Sequence, residues 1–178
     1  GTFLFGFEES YGYLKGTYAR DKDAVCAAML ATEMAAYYKA KNMTLYDALQ
    51  KLYEKYGYYG EKSQDVYMEG LDGIERRTNT MKNLRVNPPK AIGGSPVAFV
   101  GDYLAGTITT LTDGSVKPTG LPKSDVLYYG LADGDVAVIR PSGTEPKIKI
   151  YYLASAKDAA ALAAKLATYA AETDKLVK

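Results

Sequence analysis

Asp135-Val136-Ala137-Val138-Ile139-Arg140-Pro141-Ser142-Gly143-Thr144-Glu145-Pro146-Lys147-Ile148-Lys149-Ile150-Tyr151-Tyr152-Leu153 joins two β-rich runs, 135–139 and 148–153, through a segment holding two prolines and a glycine. It reads as two strands and their connection. Upstream, 64–68, 96–100, 103–112 and 126–129 are equally short and β-forming, and Asp113-Gly114 is a hairpin signal. Together they predict an antiparallel sheet whose strands follow one another in sequence order. Downstream, Ser155 and Asp158 read as a capping box opening an Ala-rich helix, in which Ala159, Leu162, Ala163, Leu166, Tyr169 and Ala170 share one face. That helix would cover one side of the sheet. A shorter helix over 73–84, stopped by Asn87-Pro88-Pro89, completes an α+β module.

Before about residue 60 the texture differs. The apolar run 1–6 reads as a strand, and 22–41 is apolar nearly all round, which predicts a helix sandwiched between layers. Thr44-Leu45-Tyr46-Asp47 is a capping box, after which Leu45, Leu49, Leu52, Tyr53 and Tyr56 keep helical spacing up to Gly57. The expected fold class is therefore α+β: a C-terminal antiparallel sheet with helices packed on it, preceded by a mostly helical remnant of an α/β domain. A change of texture over 60–72 places the expected domains at 1–60 and 61–178.

Composition narrows the chemistry. With 22 Lys+Arg against 21 Asp+Glu in 178 residues the net charge is +1, so no global field favours nucleic acid or an anionic membrane as partner. The chain has no His, and Cys26 is its single cysteine, which removes the usual triads, His-containing metal sets and disulfide frameworks. Chemistry must run on carboxylates, Lys, Arg and hydroxyls. The longest apolar run, 24–31, is far short of a bilayer span, and no signal peptide is visible, so the reducing cytoplasm is the expected compartment.

Three segments carry candidate site residues. A phosphate needs converging donors, and the loop 140–147 offers them: Arg140 can fork onto two oxygens, Ser142 and Thr144 carry hydroxyls, Gly143 lets backbone approach, and Lys147 adds charge. The same loop is also readable as an ordinary Pro/Gly connection whose hydroxyls cap their own backbone. In Gly6-Phe7-Glu8-Glu9-Ser10-Tyr11-Gly12, carboxylates and a hydroxyl framed by glycines suit sugar hydroxyls, or form a polar loop with a helix-capping Ser. Arg20-Asp21-Lys22-Asp23 sets cations against the favoured charge of a helix N-terminus, which fits a ligand or a solvated turn. Asp133-Gly134-Asp135 reads as a turn rather than a metal loop, and most of the 17 Tyr read as half-buried sheet and helix residues.

Taken in this order, Gly-Phe-Glu-Glu-Ser-Tyr-Gly at 6–12, Arg-Asp-Lys-Asp at 20–23 and Arg-Pro-Ser-Gly-Thr-Glu-Pro-Lys at 140–147 closely resemble the C-terminal half of the α-D-phosphohexomutases, nearest the bacterial phosphoglucomutase/phosphomannomutase branch. The resemblance runs over essentially the whole chain, Leu84-Arg85-Val86-Asn87-Pro88-Pro89 included. It implies four domains around a cleft: a phosphoserine on the first, an Asp-rich Mg²⁺ loop on the second, the Glu-Glu-Ser sugar loop on the third and the phosphate loop on the fourth. Glu8 and Ser10 would then grip sugar hydroxyls, with Lys22 near the ligand, and Arg140, Ser142, Gly143 and Thr144 would hold the substrate phosphate.

The implied reaction interconverts hexose 1-phosphate and hexose 6-phosphate through a 1,6-bisphosphate. Glucose 1,6-bisphosphate would be activator and intermediate, and Mg²⁺ the metal of the parent enzyme. The Thr-x-Ser-His-Asn-Pro nucleophile segment cannot be present in a chain without His, and no Asp-Gly-Asp-x-Asp-Arg metal loop occurs. The chain thus looks like the end of the third domain plus the fourth. Its expected partners are a phosphosugar and the missing N-terminal domains of the same enzyme, and no catalytic or metal-ligating residue is expected within it. The competing readings are a free-standing phosphosugar or anion-binding module, and an interaction domain whose Tyr pairs form a partner surface.

Overall fold

Phe5–Phe7 (β1) and Tyr13–Lys15 (β2) pair as a short antiparallel hairpin in a computed structural model that describes residues 2–8 and 11–177. The chain divides after it into two units, Gly1–Tyr56 and Gly57–Lys178. In the first, helix α1 (Ala24–Lys39) is started by Asp23, whose carboxylate accepts from the N–H groups of Val25 at 2.9 Å and Cys26 at 3.1 Å. Helix α2 (Leu45–Tyr56) is started by the expected box: Thr44 N–H donates to Asp47 at 2.8 Å and Asp47 N–H returns to the Thr44 hydroxyl at 3.1 Å. The sequence predicts α1 sandwiched between layers, yet none of its residues is buried. Within this unit β2 and α2 pack on it, and neither is broad enough to cover a helix apolar all round, so Val25 and Met29 stay 75% and 65% exposed.

The second unit runs β3 (Tyr58–Tyr67), α3 (Gly73–Val86), β4 (Ala91–Ile92), β5 (Ser95–Asp102), β6 (Thr107–Thr110), β7 (Val116–Pro118), β8 (Leu127–Leu131), β9 (Val136–Pro141), β10 (Lys147–Ala156) and α4 (Ala159–Val177). Its strands form an antiparallel sheet in the order β3-β10-β9-β8-β5-β6-β7, with β4 on β5. Sequence order therefore fails at two places. The stretch 103–112 is not one strand, because Gly106, at φ +80°, closes a turn by donating to Asp102 O at 2.8 Å. The β6–β7 ribbon then lies outside β5, and β5 pairs with β8. At the other end β3 crosses to β10, because a ten-residue strand rich in fully buried side chains needs a second neighbour, and β3 matches it from Tyr67↔Lys147 to Tyr58↔Ala156.

Strand alternation sets the two faces of the sheet. Ile148, Ile150 and Tyr152 of β10, with Ala137 and Ile139 of β9, belong to one buried core with Met81 and Leu84 of α3 and Leu166 and Tyr169 of α4. Lys147, Lys149 and Tyr151 lie on the opposite face, with Arg140 directly across from Lys149. Helix α4 begins three residues later than a Ser155 cap would place it. Asp158 is the cap, accepting from Ala161 N–H at 2.7 Å, while Ser155 is still in β10 and donates its N–H to Asp135 at 3.0 Å. Asp135, 2% exposed, also accepts the Tyr169 hydroxyl at 2.7 Å and the Lys165 ammonium at 2.5 Å, which ties α4 to the sheet. Asp133-Gly134-Asp135 is thus a turn with a structural ion pair.

Candidate functional site

The loop between β9 and β10 is closed from within. Ser142 N–H donates to Lys147 O at 2.9 Å, Lys147 N–H to Glu145 O at 2.8 Å, and Glu145 N–H to the Ser142 hydroxyl at 3.3 Å. Pro141 and Pro146 have no N–H. Among residues 141–147 this leaves the amides of Gly143 and Thr144 as the donors not engaged in the loop, and both residues are exposed. No atom stands within 4 Å of where a Gly143 side chain would begin, so the tip faces open space. The Ser142 oxygen accepts inside the loop, which leaves its hydroxyl proton available for donation.

Carbonyls are drawn the other way. Pro146 O accepts from Met68 N–H at 2.7 Å, and Arg77 of α3 donates one guanidinium nitrogen to both Ser142 O at 2.6 Å and Glu145 O at 2.8 Å. This approach depends on Gly73, where a Cβ would stand 2.0 Å from Met68 O. Only glycine lets the first turn of α3 close on that strand end, and Arg77 follows one turn later.

Lys147 departs from its expected role. Its side chain is 7% exposed and lies between Glu145 at 2.7 Å and Asp65 at 2.9 Å, with the Tyr67 hydroxyl at 3.2 Å. These partners, Glu145 first, hold the ammonium well above the usual lysine pKa, and the two carboxylates cancel its charge. It braces the loop from the side instead of facing a ligand, because the register sets it opposite Tyr67 of β3. Arg140 is exposed, its guanidinium 3.2 Å from the Tyr151 hydroxyl and 5.6 Å from that ring's centre. Among the described residues Arg77, Arg140 and Lys149 have no carboxylate at ion-pair distance, so the loop sits in a local positive field that the net charge conceals.

In the first unit the β1–β2 connection is closed by Glu8 N–H donating to Gly12 O at 2.9 Å. Lys22 crosses Gly12 to reach Glu8 at 3.4 Å and Asp21 at 2.9 Å. A Cβ on Gly12 would stand 2.1 Å from the Lys22 chain and push it aside. Asp21, then Glu8, raise the Lys22 pKa, and Lys22 in turn lowers that of Asp21. Glu8, Arg20, Asp21 and Lys22 line a shallow cavity of about 230 Å³. Two separately read segments, 6–12 and 20–23, thus meet at one site. Ser10 lies outside the described residues. No group of three or more Asp, Glu or Cys side chains among the described residues is arranged to hold a metal ion. No described helix is long and apolar enough to cross a membrane.

Sequence reading passed over Arg77 and Lys149. Alternation from Lys147 places Lys149 on the face opposite Lys147's neighbours Ile148 and Ile150, so it was findable once the register was fixed. Arg77 lies 65 residues from Ser142 in sequence and had no such signal.

A large antiparallel sheet under two helices, with an exposed arginine-bearing loop at one hairpin end, defines an α+β protein joined to a smaller mainly helical unit. Residues 1–56 match the model of phosphoglucomutase/phosphomannomutase alpha/beta/alpha domain III, and residues 81–169 that of the C-terminal domain of the same enzymes. The chain belongs to the phosphoglucomutase/phosphomannomutase family and corresponds to a C-terminal portion of it, with segments that match its domain III and its C-terminal domain. A phosphoglucomutase of Staphylococcus aureus is 38% identical over 148 residues, 83% of this chain and 27% of that protein. One of Staphylococcus haemolyticus is 37% identical over 150 residues, 84% of this chain and 27% of its own length. The chain therefore spans about a quarter of these curated relatives. The open form of the exocytosis-sensitive phosphoprotein pp63/parafusin, a phosphoglucomutase from Paramecium, shares the fold with a TM-score of 0.63 at 20% identity, over 95% of this chain and 29% of that one.

Proposed function

We propose that this chain supplies the phosphate grip and the sugar-hydroxyl grip of a cytoplasmic phosphohexomutase, which interconverts hexose 1-phosphate and hexose 6-phosphate through a 1,6-bisphosphate. The observation that carries this reading is the 140–147 loop. Its free donors, the Gly143 and Thr144 amides and the Ser142 and Thr144 hydroxyls, stand at an exposed tip beside cations without carboxylate partners. Arg140 would leave Tyr151 and fork onto two phosphate oxygens, since a charge-assisted pair outweighs a neutral hydroxyl contact. Glu8 and Ser10 would hold sugar hydroxyls, with Lys22 beside them.

Phosphoryl transfer is mostly positioning and charge neutralisation, so a hexose presented in two reversed orientations needs separate holds on phosphate and on hydroxyls. This chain's two sites would provide one each. The phosphoserine and the Mg²⁺ that supports transfer would come from the family's other domains, whose packing against the exposed face of α1 would also bury Val25 and Met29. On this reading the chain alone does not turn over glucose 1-phosphate, even with Mg²⁺ and glucose 1,6-bisphosphate.

Titration with glucose 6-phosphate tests the grip. Chemical shifts at the Gly143 and Thr144 amides are expected with an affinity on the order of millimolar, about −4 kcal/mol, from a few charge-assisted bonds. Free glucose should leave them unmoved. Arg140→Ala should remove the response with the sheet's spectrum intact, because the residue is exposed. Shifts that persist in that variant overturn the assignment.

A further inference from the structure

Resting on the phosphate reading of the loop, we infer that Arg77 is its positioning residue: by holding the Ser142 and Glu145 carbonyls from below, it aims the Gly143 amide at the bound anion. The geometry is direct, with one guanidinium nitrogen 2.6 Å from Ser142 O and 2.8 Å from Glu145 O. A trans peptide is planar with its C=O and N–H antiparallel, so a Ser142 oxygen drawn toward α3 turns the Gly143 N–H the opposite way, outward. The Ser142–Gly143 peptide is trans, as no peptide bond among the described residues is cis, so the relation holds here. Without the tether this peptide plane would be freer to flip, because Gly143 lacks a side chain and nothing stands within 4 Å of where one would begin.

Arg77 has a second effect. It has no carboxylate partner among the described residues, so its charge is not cancelled as that of Lys147 is. A cation behind two carbonyls polarises them and lowers the cost of gathering N–H donors around an anion. Arg77 does not touch the ligand in this account. It acts through the Ser142–Gly143 peptide.

The test uses the whole chain, inorganic phosphate as probe and backbone amide shifts as readout. In the wild type, phosphate should shift Gly143 and Thr144. Arg77→Met should weaken phosphate binding by about tenfold or more, the loss expected when charge-assisted hydrogen bonds are removed. The Gly143 response should vanish while the amides of Ile139 and Ile150 stay in place. Arg77→Gln, too short to bridge both carbonyls, replaces the Met variant if that one does not fold. Arg77→Lys keeps the charge and several donors and should restore a Gly143 response, a rescue that a general loss of stability would not give. A Gly143 response of wild-type size in the Met or Gln variant overturns the inference, as does a folded Lys variant no better than they are. No phosphate response in the wild type brings down the phosphate reading itself, and this inference with it.

Discussion

Asp135 shows how one carboxylate ties three elements together. It stands before β9, receives Ser155 N–H from β10, and takes both the Lys165 ammonium and the Tyr169 hydroxyl from α4. Burial and then Asp135 push the Tyr169 hydroxyl pKa well above its usual value, so the phenol remains a donor throughout the ordinary pH range. Removing the acceptor leaves the part-buried Lys165 ammonium and the buried Tyr169 hydroxyl with Asp133 alone, at 2.9 and 3.3 Å, and takes the partner of Ser155 N–H away. Asp135→Ala should therefore destabilise the second unit by about 2 kcal/mol. Asp133→Ala should cost under ~1 kcal/mol, because its side chain is 36% exposed and Lys165 keeps Asp135. Urea unfolding of both variants, followed through the buried tyrosines, checks the ranking. Equal midpoints would mean that the pair does not anchor α4.

Elements divide by whether their signal is local. Helix α2 was legible to the residue because the Thr44–Asp47 box is written in four consecutive positions, and both reciprocal bonds are present. The strands 135–139 and 148–153 were legible for the same reason, with the loop between them. Sheet order was not, since β3 pairing with β10 is a choice made across the whole unit. The role of Lys147 hung on that choice: only with β3 alongside does Asp65 come within 2.9 Å and take the lysine from the site. The caps also yield a pH prediction. The Tyr18 hydroxyl first, then the Cys26 N–H, lower the Asp23 pKa, and the Thr44 hydroxyl and N–H lower that of Asp47. A carboxyl with a folded-state pKa below its unfolded value of about 3.9 stabilises the fold above that pH and loses its effect as pH falls through the folded value. Helices α1 and α2 should fray on acidification below about pH 4, read as faster proteolysis or loss of helical signal after correction for temperature. Asp47→Asn should flatten that dependence for α2. Helix content unchanged down to pH 2 would show that the charged caps carry none of its stability.

At the scale of the molecule the two units differ in what they bury. The second unit's core joins β3, β4, β5, β8, β9 and β10 with α3 and α4, and includes Tyr129, Tyr152 and Tyr169 at 0% exposure. Among the described residues of the first unit the buried hydrophobic is Ala48, with Leu4 and Val25 both 75% exposed. Ordering a residue's backbone costs about 1–2 kcal/mol, and burial of apolar surface is the main offset, so a unit with so little burial sits near the threshold of cooperative folding. Local opening should follow that difference. In hydrogen exchange at neutral pH, amides of β9, β10 and α4 should be protected at least ~100-fold more than those of α1 and α2. The helical caps slow fraying at the ends but do not replace a core, so the Asp23 cap and the Thr44–Asp47 box should leave α1 and α2 both weakly protected. Adding glucose 6-phosphate should raise protection in the 140–147 loop without slowing exchange in α1, because the proposed phosphate grip would lie wholly in the second unit. Comparable protection in the two units would mean that the first one finds its missing burial in another way, through self-association that exchange measured at several protein concentrations would expose.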